Sequence, residues 1–174
     1  MKKYFLCLLV LFSPNAFALN HKGLALIEIR NSQTILELTQ IVSITDEKVV
    51  FVNLDDWGNE SFQVIFNGKV MRLVADGTDM QIAHSPLKRA LRLPLTQEEF
   101  LSIVRFVKPE NFSASEDEQG IVWKKPKYKK LKILFQKFGT IAKTNLPSDI
   151  QIQYKKNSFH LKWFNTNTKS TNTH

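Results

Sequence analysis

The sequence predicts an α+β fold in which an antiparallel sheet offers a curved face for helices to cover. Three observations predict it. Five short runs rich in β-branched and aromatic residues follow one another between residues 24 and 75. Two segments between residues 85 and 107 then carry helical signals, and strand character returns after Gln119.

The five runs are Leu24 to Arg30, Ile35 to Val42, Lys48 to Leu54, Ser61 to Phe66 and Lys69 to Ala75, divided by turn signals of which Asn67-Gly68 is the strongest. They read as an antiparallel meander. Ser85 followed by Pro86 is an N-cap with proline at the first helical position, and Leu87, Ala90 and Leu91 share one helical face up to about Pro94. Thr96 and Glu99 form a capping box that opens a second helix, expected over Thr96 to Val107. In it, Phe100, Ile103, Val104 and Val107 make one apolar stripe. The closing runs are "GIVW", "LKILFQKF", "DIQIQYK" and "SFHLKWF", the last two alternating apolar and polar residues.

Residues 1–18 read as a cleaved signal peptide: Lys2 and Lys3, an apolar "YFLCLLVLF" core, and "AFA" at the cleavage site. The sole cysteine, Cys7, lies in that core and has no lipobox before it, so a soluble periplasmic protein without disulfides is expected. Residues 19–164 are expected to form one domain and the polar run 165–174 a disordered tail. The formal charge of +8 falls to +6 when Lys2 and Lys3 leave, which favours anionic partners. Export sets nucleic acid aside among them.

No phosphate loop, nucleophile elbow or metal-binding histidine pair occurs, and the four histidines are scattered. No enzyme activity, catalytic residue, metal or cofactor is expected. Two features remain. Trp57 and Gly58 occupy the tip of a polar turn, "DDWGN", where the indole folds back, stacks on a neighbouring loop or protrudes. The run "WKKPKYKKLK" sets Lys124, Lys125, Lys127, Lys129, Lys130 and Lys132 among aromatic residues, which is either a solvated hairpin or a contact for anionic lipid headgroups.

Three stretches in order, "VNLDDWGNESFQVIF", "RLVADGTDMQIAHSPLKRALRLPLTQEEFLSIVRF" and "LKILFQKF...NLPSDIQIQYKKNSFHLKWF", resemble the outer-membrane lipoprotein receptor LolB and, more widely, the superfamily it shares with the carrier LolA. The resemblance rests on Trp57-Gly58, Leu93-Pro94-Leu95 and Leu146-Pro147. It implies an incomplete, strongly curved antiparallel β-barrel covered by helices, with an apolar cavity for the acyl chains of lipoproteins or other lipids. Phe51, Phe62, Phe66 and Val104 are the expected cavity lining, and Trp57 the expected membrane contact. A lipoprotein carrier or transporter is an implied partner, and peripheral attachment to the outer membrane an implied location. The chain departs from the receptor pattern in lacking its acylated N-terminal cysteine and in carrying tryptophan where the receptor has a smaller loop residue. A diffusing carrier or insertion factor fits these departures better than a resident receptor. The competing expectation is a basic periplasmic adaptor that binds an anionic envelope polymer or a protein through the lysine-rich hairpin.

Overall fold

Alternating apolar residues produce most of the strands among the described residues. The computed structural model describes residues 21–82, 88–89, 91–141 and 144–164. The expected signal peptide, the Ser85-Pro86 helix start and the polar tail lie outside them. The strands are β1 (His21–Arg30), β2 (Ile35–Ile44), β3 (Val49–Leu54), β4 (Glu60–Phe66), β5 (Met71–Ala75) and β6 (Thr78–Ile82). Then come one helix, α1 (Gln97–Val104), and β7 (Ser113–Asp117), β8 (Gly120–Lys124), β9 (Leu131–Ile141), β10 (Thr144–Tyr154) and β11 (Asn157–Trp163).

All eleven strands join one antiparallel sheet in the order β6-β5-β4-β3-β2-β1-β11-β10-β9-β8-β7. Two meanders are therefore fused by the pairing of the first strand with the last, Ala25 opposite Trp163 through Arg30 opposite Ser158. Among the described residues β6 and β7 each have a strand on one side only, so the sheet is not closed. It curls nonetheless. β3 and β11 stand three strand steps apart, about 14 Å in a flat sheet, yet the Phe51 and Phe159 rings lie 6.4 Å apart.

This arrangement overturns the expected α+β class and the expected cover of helices: the described residues form nearly all antiparallel sheet, and only the eight residues of α1, with Lys88 and Arg89 from the first expected helix, are helical. Two local causes are visible. The second expected helix ends at Val104, because Arg105 caps it and Phe106 turns to φ 57. Phe106 then stacks on Trp123 at 5.5 Å instead of continuing the helical stripe, and Val107 is 52% exposed. The segments "TDMQI" and "SASED", too polar to read as strands, extend the sheet at its two edges as β6 and β7.

The core lies on the inward face. Phe100 of α1 meets Phe66 and Phe159 at 5.2 Å and Phe51 at 6.5 Å. Its position follows from the capping box, in which the Thr96 hydroxyl accepts from the Glu99 backbone N–H at 3.1 Å and Glu99 Oε2 accepts from the Thr96 N–H at 2.9 Å. At the other margin, Gly120 adopts φ 137, and a Cβ there would stand 2.2 Å from the Phe135 carbonyl oxygen. Only glycine lets the β7–β8 turn lie so close to β9.

Candidate functional site

Inward-facing residues of β1 to β5, with Phe159 of β11, Leu91 and Phe100, enclose a cavity of about 280 Å³, near the lower end of the roughly 300 to 1,000 Å³ typical of ligand pockets. Period-two alternation builds its wall: Leu36, Leu38 and Gln40 come from β2, and Phe62, Val64 and Phe66 from β4. Gln40, 4% exposed, is the one polar residue of the lining. Leu36 at 45% exposure marks an open end, whereas Phe51, Phe66 and Phe100 are buried. Such a surface can hold hydrocarbon and little else, since an unpaired polar group moved into it loses its water.

Of the residues expected to line a cavity, Phe51, Phe62 and Phe66 do so. Val104 does not; it is 4% exposed and packs within the core beside Phe100. The sequence reading missed β1, β2 and Phe159 as lining. The alternation in "ILELTQIV" carried that signal for β2, with Leu36, Leu38 and Gln40 in one register.

Trp57 is 89% exposed at the β3–β4 turn. The turn is held from below: Asp55 Oδ1 accepts from the backbone N–H groups of Trp57 at 2.9 Å and Asn59 at 2.8 Å. These bonds, that of Asn59 foremost, hold the Asp55 carboxyl below its ordinary pKa. Gly58 supplies φ 83, and a Cβ there would meet nothing within 4 Å, so conformation rather than crowding selects glycine. The turn is thus tied by Asp55 while its indole projects outward.

Of the six lysines in the basic run, the structure separates one. Lys125 points inward, 8% exposed, with Nζ 2.6 Å from Glu99 Oε1 and 2.8 Å from Oε2, between the rings of Phe112 and Tyr128. Burial raises the Glu99 pKa, but hydrogen bonds from Lys125, Asn111 and the Thr96 N–H outweigh it, and the net shift is downward. Lys125 is thus a structural cation with no free face for a surface. Lys124, Lys127, Lys129 and Lys130 are exposed, whereas Lys132 is half-buried and its Nζ reaches Gln119 Oε1 at 3.4 Å.

Strand registers place these features together. β2 overshoots β3 from Thr39 back to Ile35, so the exposed Ile35 and Leu36 lie at the same sheet end as the Trp57 turn. Pairing of Arg30 with Ser158, and of Leu131 with Tyr154, brings the β10–β11 turn and the basic run to that end too. The open end of an apolar cavity, a protruding indole and a set of lysines share one pole of the molecule. No helix among the described residues is long and apolar enough to cross a membrane.

An open, curled antiparallel sheet around an apolar cavity defines the class of fold. It is similar to the crystal structure of a LolA superfamily protein from Nitrosomonas europaea, with a TM-score of 0.50 over 83% of this chain and 84% of that one, at 8% sequence identity. At that identity the likeness concerns the fold. No protein-family model matches the chain, and no curated protein sequence matches it.

Proposed function

We propose that this protein is a periplasmic lipid-binding carrier or insertion factor that takes acyl chains, of lipoproteins or a related lipid, into the cavity beneath α1. The single observation that carries the reading is the apolar wall from Ile27 to Phe159 around an open cavity. The shared fold with a LolA superfamily protein supports it. A sheltered chain gains about 0.8 kcal/mol per methylene, close to its value in a bilayer. Transfer between protein and membrane then runs nearly level and needs no catalytic group.

In this reading Trp57 enters the membrane interface, where tryptophan is favoured, while Lys124, Lys127, Lys129, Lys130 and Lys132 face anionic headgroups. A lipoprotein carrier or transporter is the partner this role calls for. The test is native mass spectrometry, with organic extraction, of protein purified from the periplasm. Co-purified lipid or lipopeptide is the expected result. A clean apo mass, with no uptake of added acylated peptide, would reject the carrier in favour of the basic adaptor.

A further inference from the structure

A second recess, of about 490 Å³, is lined by Ser32, Arg92, Lys130, Lys155, Lys156 and Asn157. Four cations drawn from three separate parts of the chain converge on it. None of the four has an acidic partner among the described residues, whereas Arg30, Arg72, Arg105 and Lys125 each pair with a carboxylate. Concentrated, unneutralised positive charge in a concave site raises the local concentration of anions.

The backbone adds a second sign. Arg92 has φ 52 and Lys155 has φ 57, the left-handed region that costs an L side chain about 1 to 2 kcal/mol. The two-residue β10–β11 turn is a place where glycine or asparagine is usual, and this chain sets Lys155 and Lys156 there. Asp76, Phe106 and Lys137 also have positive φ, but only in this recess do two such positions bear cations that line one site.

The recess adjoins the apolar cavity. Leu91 lines one and Arg92 the other. Asn157 and Phe159 occupy alternate positions on the same face of β11, about 7 Å apart along the strand. Ser32 sits in the turn between Ile29 and Leu36, both of the cavity wall. A group held by the cations is therefore within reach of a hydrocarbon tail in the cavity.

We propose that Arg92, Lys130, Lys155 and Lys156 bind the phosphate of an anionic amphiphile whose acyl chain fills the apolar cavity. This rests on the acyl-binding reading above and adds the headgroup. Arginine grips a phosphate with two parallel N–H donors and lysines add point charges. The ligand class is thus a phosphate-bearing lipid rather than a neutral one.

Isothermal titration of the mature protein with three probes separates the possibilities: 1-oleoyl-lysophosphatidic acid, 1-oleoylglycerol and glycerol 3-phosphate. The first is expected to bind about tenfold tighter than the second, and the third only weakly. The double variant K155G/K156S, whose new glycine accepts the positive φ without strain, should lose that advantage and keep its affinity for 1-oleoylglycerol. Equal affinity for the two lipids would overturn the headgroup site and leave the cavity reading intact. Glycerol 3-phosphate binding as tightly as the phospholipid would make the recess a site for free phosphate esters and reject the lipid link. Binding of none of the three would reject the cavity reading itself.

Discussion

Lys125 Nζ lies 2.6 Å from Glu99 Oε1, joining the β8–β9 connection to the first turn of α1 through a pair whose side chains are only 10% and 11% exposed. The same carboxylate accepts from Asn111 Nδ2 at 2.9 Å and from the Thr96 N–H. One glutamate therefore caps the helix, orders the loop after it and neutralises a buried lysine.

Replacing Lys125 with methionine leaves that carboxylate without its cation. Removal of one partner of a buried pair costs about 3 kcal/mol or more, and urea unfolding should show it. The double variant Glu99→Gln/Lys125→Met should recover most of the loss. A single variant as stable as the parent would show that the pair does not fix α1.

Acid should weaken the fold. Burial raises the pKa of Glu99 and of Asp149, but their hydrogen bonds prevail and both end below ordinary carboxylate values; for Asp149 the main partner is His160, 2.7 Å away. A carboxylate with a depressed folded-state pKa binds fewer protons folded than unfolded. Its stabilisation is complete above the unfolded value, about 4, and drains away as pH falls toward the folded one. Urea midpoints should slip a little between pH 7 and about 5, because burial also lowers the pKa of half-buried His21, and then fall more steeply as the two carboxylates take up protons. A midpoint unchanged down to pH 3 would contradict the assigned directions.

Trp57→Ala should leave stability within about 0.5 kcal/mol, because the indole is 89% exposed. Partitioning onto vesicles containing phosphatidylglycerol should drop, and raising salt should lower it further by screening the lysines. Binding indifferent to both changes would remove the Trp57 turn and the basic run from the membrane contact.

Val64 faces the cavity beside Phe62 and Phe66. Val64→Trp should fill part of the 280 Å³ space and reduce uptake of a fluorescent fatty acid by about tenfold, while the midpoint of thermal unfolding stays near that of the parent. Undiminished uptake would place the acyl chain elsewhere.

The sequence made legible whatever was written in local alternation. The cores of β1 to β5 and β8 to β11, the Thr96–Glu99 capping box and the tip position of Trp57 all belong to that class, as do Phe51, Phe62 and Phe66 on the cavity wall. Edge strands β6 and β7 escaped because a strand exposed on almost every residue is held by ladder hydrogen bonds and leaves no apolar alternation. Lys125 looked like its neighbours in a basic run; only the pairing of Lys124 with Ser113 and Lys132 fixed which lysine turned inward. The cations of the second recess come from segments more than sixty residues apart between Arg92 and Lys156, and no local pattern brings them together.

The two unpaired margins of the sheet have a mechanical consequence. A closed barrel has a bore fixed by its strand number and stagger, but an open wall that ends at β6 and β7 can widen by coiling a little less, with no ladder hydrogen bond broken. Both hems are five residues long and bear charge at Asp79, Glu116 and Asp117, which discourages a foreign strand from docking there. On the proposed acyl-binding reading such a wall would be elastic: chains of different length and branching should bind one per protein, each setting the width of the vessel that holds it.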